Sequence, residues 1–306
     1  MLMSQKNISD INQEEIVIIV IMILSVLTAG QLVAVSYKAF GTASAGNNRI
    51  VPAFMAFWGS ILGLIMLILA FATGGFEPST ATLIAAPIAG LAFVVAAISL
   101  VHVLATGPFI WSTLLLSLSN FLPVLFALAF LGESISVPQT IGVFVILSIL
   151  FVMNVGLKND NRPFTSTWMI MGAVMMLANG SALSAQKAQT HVIGDGEVLE
   201  FLAIMFISAS IINFIYYLVS PGKKEKFKFR IYLPPAIGLI IGMAAVNLIS
   251  MFLMARISAA VQFPISVGGG IVLSSILGVI LYKEKVGWRL FISAALLISG
   301  VVLLGL

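Results

Sequence analysis

Among the polar and amphipathic side chains inside the long apolar stretches of this sequence, seven are candidates to bind a solute through hydrogen bonds. A polar group left unpaired in hydrocarbon is costly, so such side chains face a neighbouring helix or a water-filled cavity. Amides both donate and accept hydrogen bonds, and imidazole and indole N–H groups donate them. The candidates for a substrate pathway are Gln31, His102, Trp111, Asn120, Asn179, Asn247 and Gln262.

Each candidate also has a purely structural interpretation. Asn and Ser inside membrane helices can hold helices together through interhelical hydrogen bonds of about 0.6 kcal/mol each. His102 could relay protons or simply bond a neighbouring carbonyl, and Trp111 could lie in an interfacial aromatic belt. The run Gly268, Gly269, Gly270 predicts close packing of its helix against a neighbour.

Catalytic chemistry finds little support in the sequence. The chain has no cysteine and only two histidines, His102 and His191, which lie far apart. Its three aspartates, Asp10, Asp160 and Asp195, fall in predicted loops or tails, and no HExxH or GxSxG motif occurs. We therefore predict that the protein is not an enzyme, and we predict no cofactor and no metal site.

The elements that must position these side chains are predicted to be membrane helices. Of the 306 residues, 60% are hydrophobic and 8% are charged, whereas soluble domains have about 25% charged residues. A membrane-spanning helix needs about 20 apolar residues, and ten such runs occur. They lie at about 16–40, 50–73, 82–105, 107–131, 137–157, 167–189, 197–219, 231–255, 257–281 and 287–306.

The basic residues predict the orientation of these spans. Twelve of the 15 Lys and Arg residues fall on one side of the predicted membrane, and cytoplasmic loops carry such an excess. This places both termini outside the cytoplasm, in a multi-pass protein of the cytoplasmic membrane. The basic residues are too dispersed to form a nucleic-acid-binding face, so nucleic acid is not an expected partner. The expected partner of the outer surface is membrane lipid.

An internal repeat of about 150 residues divides the chain into halves at 1–157 and 158–306. A Lys-Ala pair closes the first span of each half, in VSYKAF at 35–40 and SAQKAQ at 184–189. Glu133 and Glu284 precede the last spans, and Pro87 corresponds to Pro235. Since each half has an odd number of spans, the second half must be inverted in the membrane, as in alternating-access carriers. The two lysines, Lys38 and Lys187, are expected to extend toward the membrane surface.

This arrangement resembles the drug/metabolite transporter superfamily, and in particular its EamA-like group. The stretch AAVQFPISVGGGIVLSSILGVILYKEK at 259–285 is also similar to the last helices of the small multidrug resistance proteins. Those exporters carry a membrane-embedded glutamate eight residues before the lysine of the first helix. Here Gly30 and Asn179 occupy the matching positions, which argues against carboxylate-centred antiport of protons and cations.

We therefore expect an all-α integral membrane protein of two inverted five-helix repeats that transports a small metabolite, such as an amino acid, nucleoside, base or sugar. A small-drug or lipid exporter of the same architecture is the alternative, and a membrane enzyme is a weaker one. No phosphate-binding GxxxxGK[ST] motif occurs, so a gradient would drive transport. The coupling ion, and whether the protein is a monomer or a homodimer, stay open.

Overall fold

The computed structural model describes residues 13–44, 49–154, 165–220, 227–283 and 287–304. In these ranges the chain forms eleven α-helices and no β-strand. The helices are α1 (Gln13–Ala43), α2 (Ile50–Thr73), α3 (Thr80–Thr106), α4 (Phe109–Leu118), α5 (Phe121–Phe130), α6 (Val137–Asn154), α7 (Ser166–Ile193), α8 (Val198–Val219), α9 (Phe229–Arg256), α10 (Ala259–Tyr282) and α11 (Arg289–Leu304).

The predicted class, an all-α membrane protein, is confirmed. With α4 and α5 taken together, eight helical segments of the described chain are long and apolar enough to cross a membrane. Helices α6 and α11, which match the fifth and tenth predicted spans, are shorter apolar helices. Large apolar side chains such as Ile68, Phe144 and Phe291 are exposed on the outside of the bundle. A surface of this kind is suited to lipid, and the chain is a multi-pass membrane protein.

The two halves of the chain pack closely against each other. The most extensive helix contacts are α3 with α7, α2 with α8, α1 with α9, and α6 with α11, and each joins the first half to the second. At the centre, the rings of Trp58, Phe93 and Phe206 pack edge to face, with centroids 5.5–6.2 Å apart. Such edge-to-face aromatic contacts stabilise a core beyond simple area burial, so they fix α2, α3 and α8 together.

The fourth predicted span is broken in its middle, between α4 and α5. Pro123 has no N–H and cannot donate to the carbonyl of Ser119, which lies four residues earlier. Leu122 N–H bonds that carbonyl instead, at 3.2 Å, and Asn120 N–H bonds the carbonyl of Ser117 at 3.1 Å. These tighter i to i+3 bonds form a turn, so Ser119 and Asn120 lie between two short helices.

One end of the bundle carries the described acidic loops, and we call it the acidic end. It comprises the connections at 74–79, 131–136, 194–197 and 257–258. Contacts between these loops show that they meet: Glu197 accepts hydrogen bonds from Ser79 N–H and Oγ at 3.0 and 2.9 Å, and Arg256 pairs with Asp195 at 2.9 Å. We call the opposite end the basic end. Glu284 and residues 223–226 of the basic run 223–230 lie outside the described residues.

Candidate functional site

A cavity of about 180 Å³ lies inside the bundle, between helices of both halves. The first half contributes α1, α3 and α4 with the turn that follows it, and the second half contributes α7, α9 and α10. Most of the lining residues come from the middle turns of their helices. The cavity therefore lies inside the bundle and includes the break between α4 and α5, and discontinuous helices are a common setting for substrate sites in transporters.

Five of the seven candidate pathway residues line this cavity together. The predicted residues that the structure brings to it are Gln31, Asn120, Asn179, Asn247 and Gln262. His102 and Trp111 are partly buried but are not among the lining residues. Trp111 and Gln262 lie 151 positions apart, close to the repeat offset, but only Gln262 is at the cavity.

Of the three consecutive glycines in α10, two pack against neighbouring helices and the third lines the cavity. A Cβ atom on Gly268 would lie 2.5 Å from Leu297 Cδ1, and one on Gly269 would lie 2.6 Å from Leu27 Cδ1. These two positions bring α10 close to α11 and α1. Gly270 lines the cavity, and its carbonyl accepts a hydrogen bond from Gln31 Nε2 at 3.3 Å.

A chain of hydrogen bonds fixes the orientation of two cavity amides. Asn247 Nδ2 donates to the carbonyl of Met243 at 2.9 Å, and a carbonyl can only accept. Its Oδ1 therefore faces Gln186 and accepts from Gln186 Nε2 at 3.0 Å. As a consequence the second polar atom of Gln186, its Oε1, is an acceptor, and it has no hydrogen-bond partner among the described residues.

Gln262 is oriented in the same way. Its Nε2 donates to the carbonyl of Ser250 at 3.2 Å, so its Oε1 is the remaining atom. That oxygen is buried without a partner in the described chain. Asn179, in contrast, is tied to the helix break, because its Nδ2 lies 2.6 Å from Ser119 Oγ.

Tyr37 and Gln186 are two of the cavity residues that the sequence analysis did not predict. Both are buried, both line the cavity, and the Tyr37 hydroxyl also lacks a hydrogen-bond partner within the described ranges. They directly precede Lys38 and Lys187, so they correspond at the repeat offset of the two lysines. A tyrosine and a glutamine at matching repeat positions inside apolar spans are the sequence signal that indicates them.

The cavity wall carries no formal charge. Among its described lining residues there is no Asp, Glu, Lys, Arg or His, and the polar groups are amides, hydroxyls and backbone. Aromatic side chains of Tyr37, Phe93 and Phe263 complete the lining. Within the described ranges, no group of three or more His, Cys, Asp or Glu residues is placed to hold a metal ion.

Lys187, one residue after the lining residue Gln186, is buried in a polar cluster near the acidic end. Its Nζ lies 2.8 Å from Glu133 Oε1 and donates to the carbonyls of Met254 at 3.0 Å and Ile257 at 3.4 Å. Glu133 Oε2 in turn accepts the N–H of Ala259 at 2.8 Å. The Lys187 ammonium thus lies at the C-terminus of α9, and the Glu133 carboxylate lies at the N-terminus of α10. Helix dipoles favour both placements.

The expectation that both lysines extend to the membrane surface is therefore wrong. Lys187 has 0% exposure because a carboxylate and two carbonyls are available inside the protein. Lys38 is also buried, with its Nζ 4.5 Å from the ring centroid of Tyr282 and 5.5 Å from that of Phe109. Cation–π attraction of this kind offsets part of the cost of burying an ammonium group.

Comparison with solved structures identifies a protein with a similar fold. This chain is similar to a protein solved by crystallography, with a TM-score of 0.66, and the match covers 92% of this chain and 97% of the other. The sequences are 18% identical and the other structure is described only as that of a protein, so the similarity concerns the fold alone. No protein-family model and no curated protein sequence matches this chain.

Proposed function

We propose that this protein is a secondary transporter that moves a small metabolite across the cytoplasmic membrane by alternating access. The observation that carries the proposal is the uncharged cavity inside the bundle, which has a mainly apolar wall with several amides and hydroxyls and is formed by helices of both halves. Carriers built from inverted repeats place the substrate at such an interface, where one half can rock against the other. Membership of the drug/metabolite transporter superfamily is part of the same proposal.

The proposed topology has ten spans in two inverted five-helix halves, with α4 and α5 crossing together and α6 and α11 as the short fifth and tenth spans. Helix packing supports this symmetry. If the first to fifth spans are equivalent to the sixth to tenth, the contact of α1 with α9 is the counterpart of the contact of α3 with α7. Both contacts are among the most extensive in the bundle.

The turns between the third and fourth spans of each half also support the repeat. Gly107 has φ −117° and ψ 174°, and Ile257, 150 positions later, has φ −123° and ψ 154°. Pro108 and Ser258, which follow them, have φ −63° and −65° and ψ 144° and 151°. Two turns of different sequence thus have the same backbone path 150 positions apart.

Transport can be tested with purified protein in liposomes and a panel of radiolabelled amino acids, nucleosides, bases and sugars. The single variants Asn179→Ala, Asn247→Ala and Gln262→Ala should lose most of the uptake that the unmodified protein shows. Asn213→Ala is the matched control, because Asn213 is buried in α8 but does not line the cavity. Full uptake by all three cavity variants would reject this cavity as the pathway.

A further inference from the structure

The break between α4 and α5 leaves one side-chain amide of the cavity free. Asn120 lies in the break, is half-buried and lines the cavity. Its side chain makes no hydrogen bond to the described residues, yet neither of its two polar atoms is fully buried. A molecule in the cavity can therefore reach this amide, whereas the unpaired oxygens of Gln186 and Gln262 are closed off.

The local backbone explains why this amide has no partner in the described chain. An asparagine just before a helix usually accepts a hydrogen bond from the second or third N–H of that helix. In α5 the second N–H, that of Leu122, already bonds the Ser119 carbonyl at 3.2 Å. The third residue is Pro123, which has no N–H. Asn120 has a helical backbone, with φ −68° and ψ −9°, and makes no capping bond, so its amide stays available.

The other amide side chains of the cavity hold the protein together. Each of them bonds another residue, and they are Gln31, Asn179, Gln186, Asn247 and Gln262. These bonds join neighbouring helices, so breaking them to bind a solute would cost stability. Asn120 can bind a solute without that loss.

The chemistry of a free amide selects its partner. A primary amide carries a donor N–H and an acceptor oxygen side by side. Another carboxamide presents the same two groups in the opposite order, so the two amides can form a pair of parallel hydrogen bonds. The Ser117 hydroxyl, one turn earlier on α4, also lines the cavity and has no hydrogen-bond partner in the described chain. The polar side of a ligand thus meets neutral groups that both donate and accept.

The remaining wall limits the rest of the ligand. It is mainly apolar, it includes the rings of Phe93 and Phe263, and none of its described residues is charged. An ion would lose its hydration there without gaining an opposite charge, which is unfavourable. The volume of about 180 Å³ is slightly larger than engineered cavities of about 150 Å³ that hold one benzene molecule. A single ring with a small substituent therefore fits.

Resting on the proposed function, we infer that Asn120 selects the substrate, and that the substrate is an uncharged molecule with one carboxamide group on a small apolar body. The carboxamide pairs with the Asn120 side chain at the helix break. The apolar body lies against the rest of the wall.

Binding to the purified full-length protein, measured by calorimetry, tests the ligand class with four probes. Benzamide should bind. N,N-dimethylbenzamide keeps the ring and the carbonyl but has no N–H, so it should bind more weakly. Benzoate and the benzylammonium ion have a similar shape and carry one charge, and both should also bind more weakly than benzamide. Binding of benzamide no tighter than that of the other three would overturn the ligand class.

Asn120→Ala tests the residue. Benzamide affinity should fall about fivefold or more, the effect of losing two hydrogen bonds. Because the side chain bonds nothing in the described chain, the melting temperature of the ligand-free protein should not change. Asn213→Ala is the control, since Asn213 is buried in α8 and does not line the cavity, and it should leave benzamide affinity unchanged. Unchanged affinity in Asn120→Ala would overturn the role of Asn120.

Asn120→Asp gives a second, opposite readout. It replaces the neutral amide by a carboxylate, which accepts hydrogen bonds and carries a negative charge. At pH 8 this variant should bind the benzylammonium ion at least tenfold more tightly than the unmodified protein does, and it should lose affinity for benzamide. No gain of affinity for the benzylammonium ion would mean that residue 120 does not contact the ligand.

The ligand class and the transport proposal fail separately. Protein that takes up an amino acid into liposomes and does not bind benzamide would overturn the carboxamide inference while supporting transport. Protein that binds benzamide through Asn120 but carries no solute across the liposome membrane would support the ligand class and contradict the transporter.

Discussion

Lys187 and Glu133 form a buried ion pair, with Nζ 2.8 Å from Oε1 and exposures of 0% and 7%. Through Glu133 the pair also bonds the N–H of Ala259, and through Lys187 it bonds the carbonyl of Met254. One cluster thus joins α7, the loop after α5, and the turn between α9 and α10. The cluster therefore links both halves of the chain near the acidic end.

Loss of either partner should destabilise the protein strongly. We expect Lys187→Met or Glu133→Gln to lower the free energy of unfolding by about 3–5 kcal/mol, because the remaining charge stays buried without its partner. The double variant should recover much of this loss, since it removes both charges. Denaturant unfolding in detergent micelles measures the stability of the two single variants and the double variant. If the losses of the single variants simply added in the double variant, Lys187 and Glu133 would not stabilise each other.

Arg256 and Asp195 provide the control for that experiment. They are also paired, at 2.9 Å, but their side chains are 49% and 42% exposed. Water screens such a pair, and its removal should change stability by less than about 1 kcal/mol. If removing the Arg256–Asp195 pair lowered the free energy of unfolding as much as Lys187→Met does, burial would not explain the difference between the two ion pairs.

Close helix packing at the α4–α5 break should make Gly180 intolerant of a side chain. A Cβ atom there would lie 2.8 Å from the Ser119 carbonyl oxygen and 2.6 Å from Leu122 Cβ. We expect Gly180→Ala to destabilise the protein by about 1–3 kcal/mol through overpacking. Gly30→Ala, in the first span of the first half, meets nothing within 4 Å and should unfold at the wild-type temperature or slightly above it. The opposite order of melting temperatures would refute the packing argument.

The break itself should matter more for transport than for stability. In Pro123→Ala the new N–H can bond the Ser119 carbonyl, which favours one continuous helix in place of α4 and α5. We expect uptake to fall at least tenfold while the protein remains folded in the membrane. Pro138→Ala is the control, because Pro138 lies in the first turn of α6 and interrupts no helix. Equal uptake by both variants would show that the break is not needed.

The orientation predicted from the basic residues can be checked by cysteine labelling, since the natural sequence has no cysteine. Gly196→Cys lies in an exposed loop at the acidic end, and Arg230→Cys is exposed at the basic end. We expect an impermeant thiol reagent to label the first in intact cells and the second only after permeabilisation. The reverse pattern would place both termini in the cytoplasm.

The class of fold was predictable from the sequence because apolar runs report directly on length and environment. A proline alone did not predict the break at Pro123, because Pro87 and Pro264 lie inside helices that continue past them. Which polar residues share a cavity was harder, because this depends on helix rotation: Trp111 and His102 lie in the same spans as lining residues but on other faces. The burial of Lys187 needed knowledge of its partner Glu133, 54 positions away in the sequence.

Alternating access of the cavity is most directly tested by labelling a cysteine inside it from each side of the membrane. Ser117→Cys lines the cavity, and Ser210→Cys is a buried control in α8 that does not. In proteoliposomes of known orientation, we expect an impermeant reagent to modify residue 117 when it is added on either side, and residue 210 on neither. Modification of residue 117 from one side only, or from none, would contradict the alternating-access account.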